Sequence, residues 1–191
     1  MKMSDSQRIE APREKVWAAL NDAEVLKACI PGCEELTKHS DTEMEAKVTL
    51  KVGPVKAKFG GKVTLEDLNP PESYKIVGEG SGGVAGFAKG GAVVRLEDDG
   101  PDATILHYDV DAKIGGKIAQ LGARLIDSTS KRLAGEFFAT FSETVAPSAT
   151  DEAAGEAPAE GSQDAESGDE KKGWLGGLFG GKKDAETEES A

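Results

Sequence analysis

The chain has 191 residues and a formal net charge of −12, with 35 acidic against 23 basic residues. That balance excludes a nucleic-acid partner, because neutralising a phosphate backbone takes an excess of Lys and Arg. The length suits one domain of ordinary size with an appendage, and such a domain can bury a core of its own.

The N-terminal MKMSDSQRIEAP has no apolar stretch of the signal-peptide kind. No uninterrupted apolar run approaches the roughly 20 residues that cross a bilayer, so a cytoplasmic location is expected. A short polar strand is expected at residues 3–9. Residues 11–20 read as a helix, with Pro12 in its first turn and Val16, Trp17 and Leu20 on one face. A second short helix covers residues 22–30, capped by Asn21 or Asp22 and stopped by Pro31-Gly32. Cys29 and Cys33, in CIPGC, lack the spacing of a redox C-x-x-C. With His39 and His107 the only histidines, no metal site is expected. The two cysteines read as reduced, half-buried side chains.

Six segments of period-two alternation follow, at residues 33–39, 43–52, 55–65, 73–80, 88–97 and 104–112, separated by Gly, Pro, Asn or Asp turns. This is the pattern of an antiparallel meander with one buried face. Residues 117–143 lack proline and carry Ile118, Leu121, Leu125, Leu133, Phe137 and Phe141 at near-helical spacing. The fold class is therefore α+β: a curved antiparallel sheet of about seven strands wrapped around a long C-terminal helix, with two short helices after the first strand.

Side chains two apart share a face of a sheet, so each strand's inner face follows from its alternation. The inner faces hold Met44, Ala46 and Val48; Ala57, Phe59 and Gly61; Tyr74, Gly78 and Gly80; Ala92, Val94 and Leu96; and Leu106, Tyr108 and Val110. No titratable acid–base pair is expected on that side, and catalysis needs such groups to converge in a pocket. The chain therefore reads as a non-enzyme with no catalytic residue. His107 and Asp109 fall on the outer face and read as solvated strand surface. Tyr74 and Tyr108 are polar tips on the inner face, either donors to a ligand or residues of its wet margin.

Small residues at Ala46, Ala57, Gly61, Gly78, Gly80, Gly90, Ala92 and Ala112 leave the concave face short of bulk. Protein interiors pack near crystal density, so an apolar guest occupies the gap or Phe137, Phe138 and Phe141 fill it. For a cavity, the expected lining is Phe59, Gly78, Val84, Phe87, Ala92, Val94, Tyr108, Ile118, Leu121, Leu125, Phe137 and Phe141.

Alternate turns share an edge of such a sheet, so Gly53-Pro54, the loop at 81–87 and Gly115-Gly116 are expected to form one rim. Lys51, Lys56, Lys58, Lys89, Lys113 and Lys117 lie near it. A membrane surface attracts basic residues at roughly 1 kcal/mol each, and Lys89 and Lys117 are expected to touch one. The glycine-rich GEGSGGVAGFAKGG has no following helix to make an anion nest; it reads as a gate or a simple loop, with Val84 and Phe87 as apolar tips.

From Ala146 onward the composition turns to Ala, Glu, Gly, Ser and Asp, and residues 146–191 carry −8 of the net charge. The expected organisation is a ligand-binding domain at 1–145, a disordered acidic linker at 146–170, an amphipathic anchor at 171–183 and an acidic disordered end at 184–191. In KKGWLGGLFGGKK, Trp174, Leu175, Leu178 and Phe179 share one face of a helix, flanked by Lys171, Lys172, Lys182 and Lys183. The segment is too short to span and fits an interfacial membrane anchor; the other reading is a short linear motif that docks on a partner protein.

APREKVWAALND, CIPGCEEL, KVGPVKAKFGGKV, GFAKGG and GGKIAQLGARLIDSTSKRLAGEFF together resemble the CoxG family, the G-subunit family of carbon monoxide dehydrogenase, among the START-like (SRPBCC) domains, over about residues 1–141. The resemblance implies the helix-grip, START-like fold and a hydrophobic cavity. It also implies as partners a membrane lipid surface and an aerobic CO dehydrogenase or related molybdenum dehydrogenase. The ligand it implies is an isoprenoid quinone, menaquinone or ubiquinone, with no covalent cofactor. The expected function is a hydrophobic-ligand carrier, peripherally attached to the inner face of the cell membrane, that recruits or couples the dehydrogenase. The alternative is a ligand-independent assembly and recruitment adaptor. The family offers no catalytic motif to carry over.

Overall fold

Alternation at period two makes each strand hand its apolar side to the next, and the computed structural model describes the result for residues 1–146. In chain order the elements are β1 (Lys2–Ile9), α1 (Arg13–Leu20), α2 (Ala23–Cys29), β2 (Cys33–Lys38), β3 (Glu43–Val52), β4 (Val55–Asn69), β5 (Ser73–Ser81), β6 (Phe87–Asp98), β7 (Thr104–Gly115) and α3 (Ala123–Val145). The strands form one sheet in the order β1-β7-β6-β5-β4-β3-β2, antiparallel throughout. The expected α+β architecture is therefore observed. The expected tail segments beyond residue 146 lie outside the described residues.

Local chemistry sets the boundaries. Asp22 caps α2, its Oδ1 accepting from the Glu24 and Val25 N–H groups at 2.8 and 3.1 Å. Thr104, fully buried, donates its hydroxyl to the Ala11 carbonyl at 2.7 Å and ties β7 to the α1 approach. The final helix differs from expectation. Its apolar spacing runs unbroken from residue 117, but Gly122 sits at φ +91°, so the chain forms a 3-10 turn at Ala119–Leu121 and starts α3 only at Ala123.

The core lies where α3 and α1 meet the sheet. Ile9, Val16, Leu106 and Phe141 are sealed from solvent, and Met44, Leu65, Val94, Leu96 and Val145 pack around them. Tyr108 stacks on Phe138 with centroids 5.3 Å apart, and Trp17 meets Tyr74 edge-on at the same distance.

Two glycines stand where β5, β6 and β7 run side by side. A methyl group on Gly90 would lie 2.1 Å from the Asp111 carbonyl oxygen, and one on Gly91 would lie 2.3 Å from that of Ile76. No side chain fits there, so these glycines are required by backbone approach. Gly60, on the outer face of β4, has nothing within 4 Å of the same position. Gly90→Ala is expected to destabilise the domain by about 2–4 kcal/mol and Gly60→Ala by less than about 0.5 kcal/mol, measured from urea unfolding midpoints.

Candidate functional site

The concave face divides into two halves along the strands. In one half the inner side chains are large and buried: Leu65, Tyr74, Val94, Leu96, Leu106 and Tyr108 are each at most 8% exposed, closed over by Phe141 and Val145 of α3. In the other half the inner positions are small or aliphatic and only half-buried: Ala46, Val48 and Leu50 on β3, Ala57, Phe59 and Gly61 on β4, Gly78 and Gly80 on β5, Gly90 and Ala92 on β6, Ala112 on β7. An apolar face left half-exposed under a helix offers a guest more area to remove from water than a sealed core does.

The residues expected to line a cavity distribute across both halves. Val94, Tyr108 and Phe141 belong to the buried core, and Phe137 packs against it, stacked on Phe141 at 5.6 Å. Phe59, Gly78 and Ala92 lie in the open half. Leu125 of α3 rests against the β3–β4 turn, where a methyl on Gly53 would sit 2.7 Å from its Cδ2. Leu121 is half-buried on the 3-10 turn. Ile118 is buried, and its N–H donates to the Ala85 carbonyl at 3.0 Å. Phe59 turns its ring onto Gly82, at 2.5 Å from where a methyl would be.

The 81–87 loop is clasped. Gly82 donates to the Gly86 carbonyl at 2.8 Å, Ala85 to Gly82 and Gly86 to Gly83 at 3.1 Å, and the Ile118 bond ties the whole to the approach to α3. Ala85 is buried while Val84 stands 84% exposed. Phe87, expected as a second tip beside Val84, points elsewhere: it pairs with Ser81 and Gly115, shares the convex face with Lys89, and lays its ring over Gly115. Gly116 abuts Gly86 of this loop, whereas the Gly53 turn, carried further out because it is Gly60 that pairs with Ser81, is met by Leu125 of α3.

Electrostatics on the two faces differ. On the convex side His107 meets Glu97 at 3.2 Å and Asp109 meets Arg95 at 3.2 Å, both at the surface. On the concave side the register corrects one expectation. Asp5 of β1 pairs directly with Tyr108, so one carboxylate does face inward, exposed at the β1 margin and accepting from the Ser6 N–H at 2.8 Å. The alternation Met3, Asp5, Gln7, Ile9 contained that signal. Burial pushes the Cys29 and Cys33 thiols up, which disfavours the nucleophilic thiolate. Among the described residues no group of three or more His, Cys, Asp or Glu side chains is gathered for a metal ion. A depression of about 710 Å³ lies apart from the concave face, lined by charged residues including Arg13, Glu72, Arg95 and Asp98. Its walls suit water and ions rather than an apolar molecule.

A model of the protein family described as the G subunit of carbon monoxide dehydrogenase (CoxG) matches residues 6–146. Among solved structures, a conserved protein from Geobacillus kaustophilus is similar with a TM-score of 0.72 and 29% identity, over 76% of this chain and 95% of its own. A START superfamily protein from Mycobacterium smegmatis matches with a TM-score of 0.58 and 13% identity, over 75% of this chain and 96% of its own. The ZhuI aromatase/cyclase from Streptomyces sp. R1128 gives 0.55 and 11%, over 76% and 93%. The latter two likenesses carry the fold alone, and the fold is START-like. No curated protein matches the chain.

The two tyrosines test the burial of the concave face. Desolvation drives the Tyr74 hydroxyl well above its ordinary value of 10, and burial followed by the charge of Asp5 raises that of Tyr108. Both stay protonated in the folded chain after the unfolded chain has ionised, so they leave stability unchanged below pH 10 and lower it as pH rises beyond. The Tyr74 half of the tyrosinate absorbance at 295 nm is expected to appear only with unfolding, and the Tyr108 half at a pH above that of an exposed tyrosine.

Proposed function

The chain belongs to the CoxG family, that of the carbon monoxide dehydrogenase G subunit, and from that premise we propose that it is a non-enzymatic carrier of a hydrophobic ligand, an isoprenoid quinone such as menaquinone or ubiquinone. In this reading it serves an aerobic CO dehydrogenase-type molybdenum enzyme at the cytoplasmic face of the cell membrane. The observation that carries the proposal is the unequal filling of the concave face. One half is closed by Leu106, Tyr108 and Phe141, all buried, while the other is lined by mostly small apolar residues that stay only partly buried.

The chemistry of that open half matches a prenylated ring. Its inner surface from Phe59 across Gly80 to Ala92 offers apolar contact and no charge. Each 100 Å² of tail buried there contributes about 2.5 kcal/mol before the cost of ordering the ligand. Tyr108 has its ring stacked on Phe138 at the boundary of the closed half, where its hydroxyl can donate to a quinone carbonyl. The inward Asp5 has only the protonated Tyr108 hydroxyl as a titratable neighbour across the pairing, and this supports carriage over turnover even though the ZhuI relative of the same fold is an aromatase/cyclase. The 171–183 segment, beyond the described residues, is read as the tether, with Trp174, Leu175, Leu178 and Phe179 at headgroup depth.

Filling the open half tests the proposal. Gly78 is unsuitable, since even a methyl there would meet the Lys62 carbonyl and Val63 at 2.8 Å. Gly80 is suitable, with its nearest contact at an ordinary 3.6 Å, and Ala92 already carries a Cβ. Gly80→Leu and Ala92→Phe are expected to lower retention of menaquinone, loaded from detergent and quantified after extraction, by at least about ten-fold while shifting Tm by no more than a few degrees. Full occupancy in both variants would contradict the proposal.

A further inference from the structure

The two ends of the sheet carry opposite charge. At one end, the β4–β5 and β6–β7 turns and their flanks present Glu66, Asp67, Glu72, Asp98, Asp99 and Asp102; Glu66 pairs with Lys75 at 2.9 Å, Glu72 and Asp98 share Arg13 and Asp99 meets Arg8, which leaves Asp67 and Asp102 without a basic partner among the described residues. At the other end stand Lys51, Lys56, Lys58, Lys89, Lys113 and Lys117. Lys58 is neutralised by Glu34 at 2.8 Å and Lys89 by Glu79 at 3.5 Å, whereas Lys51, Lys56, Lys113 and Lys117 have no carboxylate partner among the described residues. The lysines are also set against one another. Lys51 lies directly opposite Lys56 across the β3–β4 hairpin, and Lys89 directly opposite Lys113 across β6 and β7. Like charges in directly opposed positions destabilise a sheet, and Lys51 and Lys56 have no carboxylate partner among the described residues to offset theirs, so an anionic surface laid against that hairpin end would relieve it.

At the same end the clasped loop holds Val84 out, 84% exposed, beside the open half of the concave face. A loop stiffened by four backbone hydrogen bonds to present one aliphatic side chain amid unpaired lysines calls for a partner that is anionic at its surface and apolar beneath. We propose that this end of the domain docks on an anionic lipid surface, with Lys51, Lys56, Lys113 and Lys117 at the phosphates and Val84 at the acyl boundary. The opposite end carries the unpaired Asp67 and Asp102, so the domain lands end-on through its lysine end, with the mouth of the open half of the concave face at the bilayer. The inference rests on the carrier reading for its purpose, since that orientation sets the ligand site against the lipid that holds the ligand. The docking itself depends only on charge and on Val84.

A position-specific dye separates this contact from any contact made by the tail. The full chain is used with Cys33→Ser, Cys29 being buried, and the dye is attached at Val84→Cys or, as the control at the acidic end, at Asp102→Cys. With vesicles containing phosphatidylglycerol, the Val84 label is expected to blue-shift and brighten several-fold, less so as salt is raised, and to stay unchanged with pure phosphatidylcholine. The Asp102 label stays silent throughout. Replacing the four unpaired lysines by glutamine is expected to weaken the response by more than about ten-fold. A silent Val84 label on a chain that sediments with anionic vesicles, a shift at Asp102 instead, or a Val84 shift with duplex DNA but not with vesicles would each overturn the inference. Menaquinone retention from detergent on the same variants keeps the two readings apart. A loaded chain with a silent Val84 label overturns the docking alone, and an empty chain whose Val84 label shifts overturns the carrier alone.

Discussion

One long helix has to cover the concave face of seven strands, and the side chains available to fill the space between them are concentrated at one end. A 23-residue helix spans about 34 Å, enough to lie along the whole face, yet beyond the midpoint few of the inner residues are large, Val48, Leu50 and Phe59 among them. Leu65, Tyr74, Val94, Leu96 and Tyr108 meet Phe137, Phe138 and Phe141 from above, and α1 seals their flank with Val16 and Trp17. Stability is vested in that half. The other half consequently stays lean without unfolding the domain, because its helix is anchored by its neighbours' packing rather than by its own.

The same division explains the glycines and the charges. Gly90 and Gly91 leave room for the carbonyls of the neighbouring strands, and Gly80 and Gly61 add no side-chain bulk to the open half. Because antiparallel turns alternate between ends, a sequence can make one end acidic and the other basic simply by choosing which turns carry which charge. Here the basic turns fall at the end where the concave face is open, and there the loop at Gly82–Gly86 is hydrogen-bonded rather than free. A lean inner surface, basic charge and an exposed aliphatic tip thus fall at the same end of the sheet.

Much of this was legible from alternation alone. Leu106 and Tyr108 against His107 and Asp109, or Met44 against Glu43 and Glu45, sort themselves onto two faces because a strand's period is two and one face must leave water. Asp22 announced its cap for the same local reason. Features fixed by long-range geometry were not legible. Ile118 and Leu121 keep helical spacing with Leu125, but the φ of +91° at Gly122 separates them, and glycine in a periodic segment does not declare its dihedral. Phe87 sits one residue before the expected start of its strand, and only its pairing with Ser81 and Gly115 sends it to the convex side. Asp5 lies on a strand so polar that neither face stood out. Gly78 and Gly80 are alike in sequence, yet a methyl would be refused at the first and accommodated at the second.

The central claim is that the lean half of the concave face carries an apolar guest. It is tested most directly by purifying the full chain from the cells that make it, extracting it, and identifying by mass spectrometry whatever lipophile comes with it. A stoichiometric isoprenoid quinone is the expected result. A chain that carries no lipophile, yet still brings down a molybdenum dehydrogenase, would contradict the claim and leave a recruitment adaptor in its place.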